Sequence, residues 1–231
     1  MEKIRKIIEQ ARQEKRDFLL EYEAEKILSL RGIEVAPAIL AETLPEALRA
    51  AGRIGFPVVM KVMSPRIIHK SDAGVVEVNV EDEKKLRRTW KKILSSAREY
   101  DPEAEIRGVL VQKMLAGGRE VIVGGSRDPQ FGPVIMFGLG GVFVEVLKDV
   151  VFRVAPVSKA EALRMIREIR SYSILKGVRG EKAIDFPALA SLVSKISRLM
   201  SDYDEISELD ANPVRVDEDG ACVLDARIMI S

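Results

Sequence analysis

Apolar residues recur at helical spacing from the start of the chain. Ile4, Ile7, Ile8 and Ala11 fall on one face, and the pattern resumes with Phe18, Leu19, Tyr22, Ile27 and Leu28 before Gly32. The polar stretch Arg12 to Asp17 separates the two pieces, as a bend or as a solvated face. Thr43-Leu44-Pro45-Glu46 has the form of a capping box, opening a helix that ends near Gly55. Phe56-Pro57 leads into the apolar run Val58 to Val62, a strand, and a polar loop over 64–74 precedes a second strand at Val75 to Val80. Asp82 caps a helix to about Ala97 whose stripe is Leu86, Trp90, Ile93 and Leu94. After Asp101-Pro102 the texture changes: Ile106 to Met114, Arg119 to Gly125 and Pro133 to Phe137 are strand-like runs joined by glycine-containing turns. Ser158 to Glu161 forms a second capping box for a helix to about Tyr172, and Asp185 with Pro187 starts another to about Met200. Glu205 to Ala211 and Val214 to Val216 are short strands, and Asp217 to Gly220 turns the chain into a last strand from Ala221 to Ile228. These elements describe an α+β fold of two lobes with mixed sheets, residues 1–105 and 106–231, with the cleft between them as the default place for a ligand.

Composition narrows the class. In 231 residues, 47% hydrophobic and 32% charged content supports a packed core and excludes disorder. Lys and Arg number 37 against 36 Asp and Glu, so no basic footprint points to nucleic acid or an anionic membrane. The single Cys222 excludes an internal disulfide and a multi-thiolate metal site, as suits a reducing cytoplasm. The charged start Met1-Glu2-Lys3-Ile4-Arg5-Lys6 does not form the apolar core of a signal peptide. The longest uncharged run, Pro129 to Val144, carries four glycines and does not make a membrane span.

Candidate chemistry clusters in three places. Strand alternation sets Val58, Met60 and Val62 on one face, with Val59 and Lys61 on the other. Lys61 therefore either snorkels from an edge strand or points into a cleft to meet an anion. The loop that follows holds the only histidine, His69, beside Lys70, Ser71 and Asp72. Its imidazole suits phosphoryl transfer or base chemistry, and Lys70 with backbone N–H groups near Gly74 suits phosphate oxygens. A lone histidine is more often structural, and both readings stand at this point. Glycines at 117–118, 124–125 and 138–141 either approach a ligand or serve as tight turns. Glu145, Asp149 and Arg153, spaced by four, fit ordinary ion pairs along a helix face. The third cluster is acidic: alternation puts Glu208, Asp210 and Asn212 on one strand face, and a two-residue turn at Glu218-Asp219 sets Asn212 opposite Asp225, about 5 Å apart. Gly220 allows a bulged turn that slips this register by a residue. Two such oxygens, completed by phosphates and water, suit Mg²⁺, whereas the alternative is a solvated acidic hairpin. No Walker-type P-loop and no Gly-x-Gly-x-x-Gly opening a helix is present.

Over essentially its whole length the chain resembles the β subunit of an ADP-forming acetyl-CoA (acyl-CoA) synthetase, an ATP-grasp module related to the β subunit of succinyl-CoA synthetase. The resemblance runs through 57–62, His69-Lys70-Ser71-Asp72, 120–124, Phe131-Gly132-Pro133, 138–141, 145–149 and 208–213. It implies an ATP-grasp fold around ATP or ADP with Mg²⁺, and the reversible reaction acyl-CoA + ADP + phosphate ⇌ acid + CoA + ATP. It implies a partner α subunit that binds CoA and forms the acyl phosphate, in an α2β2 complex. His69 would relay the phosphoryl group to ADP, steadied by Asp210. Lys61, Lys70 and Ser71 would meet phosphates, Gln112, Lys113 and Met114 the adenine side, and Glu120 the ribose side. Asn212 and Asp225 would hold Mg²⁺. Val75 stands where the family usually has a second glycine after the histidine loop. The alternatives are a succinyl-CoA-synthetase-like β subunit, a free-standing ATP-grasp carboxylate–amine ligase, and a non-catalytic nucleotide-sensing module.

Overall fold

The computed structural model describes residues 2–68, 70–141, 148–178 and 180–231. Along the chain run α1 (Glu2–Gln13), β1 (Phe18–Leu19), α2 (Glu21–Leu30), β2 (Ala38–Ala41), α3 (Leu44–Ile54), β3 (Val58–Met63), β4 (Val76–Val80), α4 (Glu83–Tyr100) and β5 (Gly108–Lys113). There follow β6 (Arg119–Asp128), β7 (Gly132–Leu139), β8 (Val150–Val154), α5 (Lys159–Glu168), α6 (Tyr172–Leu175), α7 (Phe186–Asp202), β9 (Ile206–Asp217), β10 (Gly220–Val223) and β11 (Ala226–Ile230). No helix among the described residues is long and apolar enough to cross a membrane.

The chain divides into two compact units, but not near residue 105. One is 36–116; the other joins 1–35 to 117–231. The reason is burial. The apolar stripes of α1 and α2 (Ile4, Ile8, Ala11, Ile27, Leu28) enter the core built by the C-terminal strands, while β5 pairs with β2 and β3 and so stays with the smaller sheet.

In the small unit the sheet order is β2-β5-β3-β4. β2, α3 and β3 follow one another as a crossover unit would, yet β5 inserts between the two strands and runs antiparallel to both. The expected mixed sheets are therefore antiparallel at every named strand pair, here and in the large unit. Val58, Met60 and Val62 pack with Ala47, Ala50 and Ala51 of α3 and with Leu86, Ile93 and Ala97 of α4, the small alanines letting α3 lie close to the sheet. The α3 capping box forms as expected: Thr43 Oγ1 accepts from Glu46 N, and Glu46 Oε2 accepts from Thr43 N at 3.3 Å. Asp82 caps α4, accepting from Lys85 N at 2.7 Å.

The large unit carries the order β1-β11-β9-β6-β7-β8, with β10 also paired to β9. Phe18 and Leu19, expected to begin a helix, instead form β1 opposite Met229 and Ile228, and α2 starts two residues later. There Glu23 accepts from Leu20 N, closing the first turn, and receives the Arg16 guanidinium at 2.8 and 2.9 Å. One sheet face packs under α7 through Leu189, Val193, Ile196 and Met200; such fully buried aliphatic side chains stabilise by about 1.5–3 kcal/mol each. Arg127 ties the end of α7 to the sheet by donating to the carbonyls of Met200, Tyr203 and Ile206. The α5 N-cap is Ser158, whereas Glu161 turns to Arg153 instead of completing the box, and α5 ends at Glu168 rather than near Tyr172. Alternation along β9 turns the acidic residues to the opposite sheet face, away from the core that holds Leu209 and Ala211.

Candidate functional site

In the small unit Lys61 sits on β3, which has neighbours on both sides, so it is no edge-strand lysine. It is only 6% exposed and stays outside the apolar cluster formed by Val58, Met60 and Val62. His69 lies outside the described residues. Beyond it, Lys70 and exposed Ser71 lie in a turn in which Gly74 N donates to Ser71 O and Val75 N to Lys70 O, both at 3.1 Å. The backbone donors expected to meet phosphate near Gly74 therefore close the turn instead. Gly74 takes φ +62°, a left-handed value that favours glycine. Val75 is fully buried in the core, which accounts for a large side chain at that position. Gln112, 2% exposed on β5, pairs opposite Ala38 and Val59. Lys113 Nζ donates to Gly55 O at 2.9 Å, just past the C-terminal end of α3, and Met114 N donates to Pro57 O. Gln112, Lys113 and Met114 thus stand together at the end of β5, with the Lys113 ammonium directed to the α3 end.

In the large unit the acidic strand pair forms as the alternation predicts. Gly220 pairs with Asp217 and Cys222 with Arg215, so the turn is the two-residue form, Glu218-Asp219. The expected strands 205–211 and 214–216 are one strand, β9. Asn212 N donates to Asp225 O at 3.1 Å, which places these two residues opposite one another. The same register continues into β11 and sets Arg227 opposite Asp210 and Met229 opposite Glu208. Leu209 and Ala211 are buried on the core side, while Glu208 and Asn212 are exposed.

Asp210 is the electrostatic centre of this face. Burial pushes its carboxyl above the ordinary value, and the Asp225 charge pushes further; Arg227 and a hydrogen bond from the Asn212 side chain oppose them, and Glu208 adds a smaller rise. Asn212 spends its amide N–H on Asp210 and so keeps its carbonyl oxygen for another partner. A concavity of about 380 Å³ opens here, with Asp210, Glu208 and Arg227 on one side, Gly124 and Ser126 at the middle, and Met136 and Phe152 beyond. Glu120 is exposed on β6, and its main-chain carbonyl accepts from Gly140 N at 2.8 Å; a Cβ at Gly140 would lie 3.2 Å from that same oxygen. This close approach is what the glycine at 140 allows. Arg227 is not among the residues that the sequence motifs single out, yet extending the Asn212–Asp225 register by two residues finds it.

The helix-face reading of Glu145, Asp149 and Arg153 does not hold. Glu145 lies outside the described residues, Asp149 precedes β8, and Arg153 within β8 pairs with Glu161 and Glu168. Asp149 has a different task. It is 7% exposed and accepts from Arg170 N, Ser171 N and Ser171 Oγ, binding the entry of β8 to the start of α6. Burial opposes its ionisation, but these hydrogen bonds outweigh burial and hold its carboxyl below the ordinary value. Cys222 is buried, and burial followed by the nearby Glu34 charge pushes its thiol up to about 12, which makes it unreactive.

No group of three or more His, Cys, Asp or Glu that could hold a metal occurs among the described residues. The oxygens of Asn212 and Asp225, residues set opposite each other across the strand pair, fit a hard cation that draws its other ligands from phosphates and water.

Residues 10–230 match the ATP-grasp domain family. The chain is 51% identical over 228 residues to the acetate–CoA ligase (ADP-forming) I subunit beta of Pyrococcus furiosus, covering 99% of this chain and 98% of that one. Among solved structures it is similar to the dinucleotide-forming acetyl-coenzyme A synthetase 1 of Candidatus Korarchaeum cryptofilum in complex with coenzyme A and Ca-AMPCP. The TM-score is 0.96 and the identity 43%, over 98% of this chain and 99% of that one. A form of that protein with coenzyme A and Mg-AMPPCP, its phosphohistidine segment pointing towards the nucleotide-binding site, matches with a TM-score of 0.87 and 40% identity over 99% of this chain and 100% of that one.

Proposed function

Because the chain belongs to the ATP-grasp domain family, we propose that it is the β subunit of an ADP-forming acetate/acyl-CoA ligase. It works with a CoA-binding α subunit, in an α2β2 complex, on acyl-CoA + ADP + phosphate ⇌ acid + CoA + ATP. The observation that carries this reading is the register of β9 with β10 and β11, which gathers Asp210, Asn212, Asp225 and Arg227 on one face of the sheet.

In this reading a nitrogen of His69 takes the phosphoryl group from the partner, and an oxygen of the ADP β-phosphate then takes it from His69, breaking the N–P bond and forming ATP. Asp210 accepts the other imidazole N–H, which fixes the tautomer and stabilises the charged ring. Lys61, Lys70 and Ser71 bind phosphate oxygens, Gln112 to Met114 the adenine side, and Glu120 the ribose hydroxyls. Asn212 and Asp225 hold Mg²⁺, which when bound lowers the repulsion among the phosphates.

The test is acid-labile labelling of the chain from ATP radiolabelled at the γ-phosphate. His69→Ala is expected to abolish labelling and turnover; labelling that persists in this variant overturns the relay. An acid panel with the reconstituted complex separates acetate and other acyl acids from succinate. Turnover by the chain without a partner would favour a free-standing ligase instead.

A further inference from the structure

We infer that Arg227 is an anion-binding residue of the proposed site, receiving the oxygens of a phosphoryl group held beside Asp210. The inference rests on the phosphoryl-transfer reading and deepens it.

The sheet of the large unit carries five arginines, and four are tied. Arg119 pairs with Glu181, Arg127 donates to three carbonyls, Arg153 pairs with Glu161 and Glu168, and Arg215 pairs with Asp217 and donates to Gly117 O. The Arg227 side chain is exposed and, among the described residues, is held by no hydrogen bond or salt bridge, its charge acting on the neighbouring Asp210. Among the described residues it is also the one cation lining the concavity, where Glu208 and Asp210 supply negative charge.

That imbalance matters for an incoming phosphoryl group. Carboxylates alone repel it. A guanidinium offers up to five N–H donors in a planar fork that matches phosphoryl oxygens. Asp210 stands between Gly124 on β6 and Arg227 on β11. The floor on the Gly124 side is bare backbone, and a Cβ there would lie 3.3 Å from Met136 Cε. The carboxylate can thus hold an imidazole N–H while the guanidinium takes the oxygens.

The anion is either the phosphoryl group borne on histidine or free inorganic phosphate, and two arms separate them. In the reconstituted complex, Arg227→Gln is expected to slow labelling from ATP by ~100-fold while leaving the KM for ATP within about twofold, the size of losing one charge-stabilising donor set. Arg227→Lys should recover part of the rate, and millimolar guanidinium should restore Arg227→Ala. A raised KM for inorganic phosphate with normal labelling would instead place free phosphate at this residue. Unchanged labelling together with an unchanged phosphate KM overturns the inference. So does a rate loss that neither lysine nor guanidinium restores and that comes with a lowered melting temperature. His69→Ala keeps the two readings apart: if it still labels, the relay fails, whereas normal His69-dependent labelling in Arg227→Gln, with an unchanged phosphate KM, removes only the role of Arg227.

Discussion

Residues 36–116 form their unit from one continuous segment, and their core is aliphatic, with three alanines of α3 laid against Val58, Met60 and Val62. The other unit is assembled from both ends of the chain, so that Phe18 pairs with Met229 and α1 helps to cover strands that come two hundred residues later. Closing such a loop carries a large conformational entropy cost, met only when the whole sheet forms. The candidate chemistry divides in the same manner. In the small unit, Lys61 and Gln112 are buried on neighbouring central strands of a local sheet. In the large unit, Asp210, Asn212, Asp225 and Arg227 become neighbours through one strand register. Side chains of the first kind depend on a core beside them, and those of the second depend on pairing.

The sharpest way to break this comparison is to open one core. Phe137→Ala, fully buried on β7, should destabilise by about 3–5 kcal/mol. Hydrogen exchange should show the loss in β6, β7 and β9, with β3 and β5 keeping their protection. Equal loss in all five strands would mean that the units unfold as one.

Next in size, Asp225→Ala should lower labelling from ATP by ~100-fold, raise the Mg²⁺ concentration needed, and leave the circular dichroism spectrum unchanged. Loss of the β signal would show that this pairing needs the side chain itself.

Arg127→Ala removes a charged donor from the carbonyls of Met200, Tyr203 and Ile206 and should cost about 2 kcal/mol in a denaturant melt. A near-zero effect would show that α7 is held by its apolar face alone.

Asp149→Asn should destabilise by about 1–2 kcal/mol near neutral pH. Because the folded carboxyl titrates below its ordinary value, its stabilisation is present above the unfolded value and is lost as pH falls through the folded one. The gap between wild type and Asp149→Asn should therefore close in that acid window. A gap that stays constant down through it would remove the ionised form from the explanation.

The smallest effect belongs to the small unit. Thr43→Ala should cost about 1 kcal/mol through loss of the α3 cap, seen as early exchange of the Glu46 and Ala47 amides.

Features that depend on residues three or four apart were legible directly. The Thr43 cap and the Asp82 and Asp185 caps all formed as the sequence predicts, and of the two turns open at Gly220 the two-residue form at Glu218-Asp219 is the one present. Alternation along 208–212 also separated the acidic side chains from Leu209 and Ala211. Misreadings came where a distant partner decided. Phe18 and Leu19 fit a helical stripe but are taken by β11, and Asp149 fits a helix-face spacing but is taken by the amides of Arg170 and Ser171.

By itself, then, the sequence determined the Thr43, Asp82 and Asp185 caps and a C-terminal hairpin that brings Asn212 close to Asp225, to within one residue of register. Tertiary structure alone decided that β5 would insert between β2 and β3, that residues 1–35 would join the C-terminal unit, and that a concavity would form on the large sheet beside Asp210 and Arg227. The physical reason is range. Hydrogen bonds of turns and caps act within a few residues, whereas the choice of a strand's neighbour is set by the burial of whole apolar faces that meet only once the chain has folded.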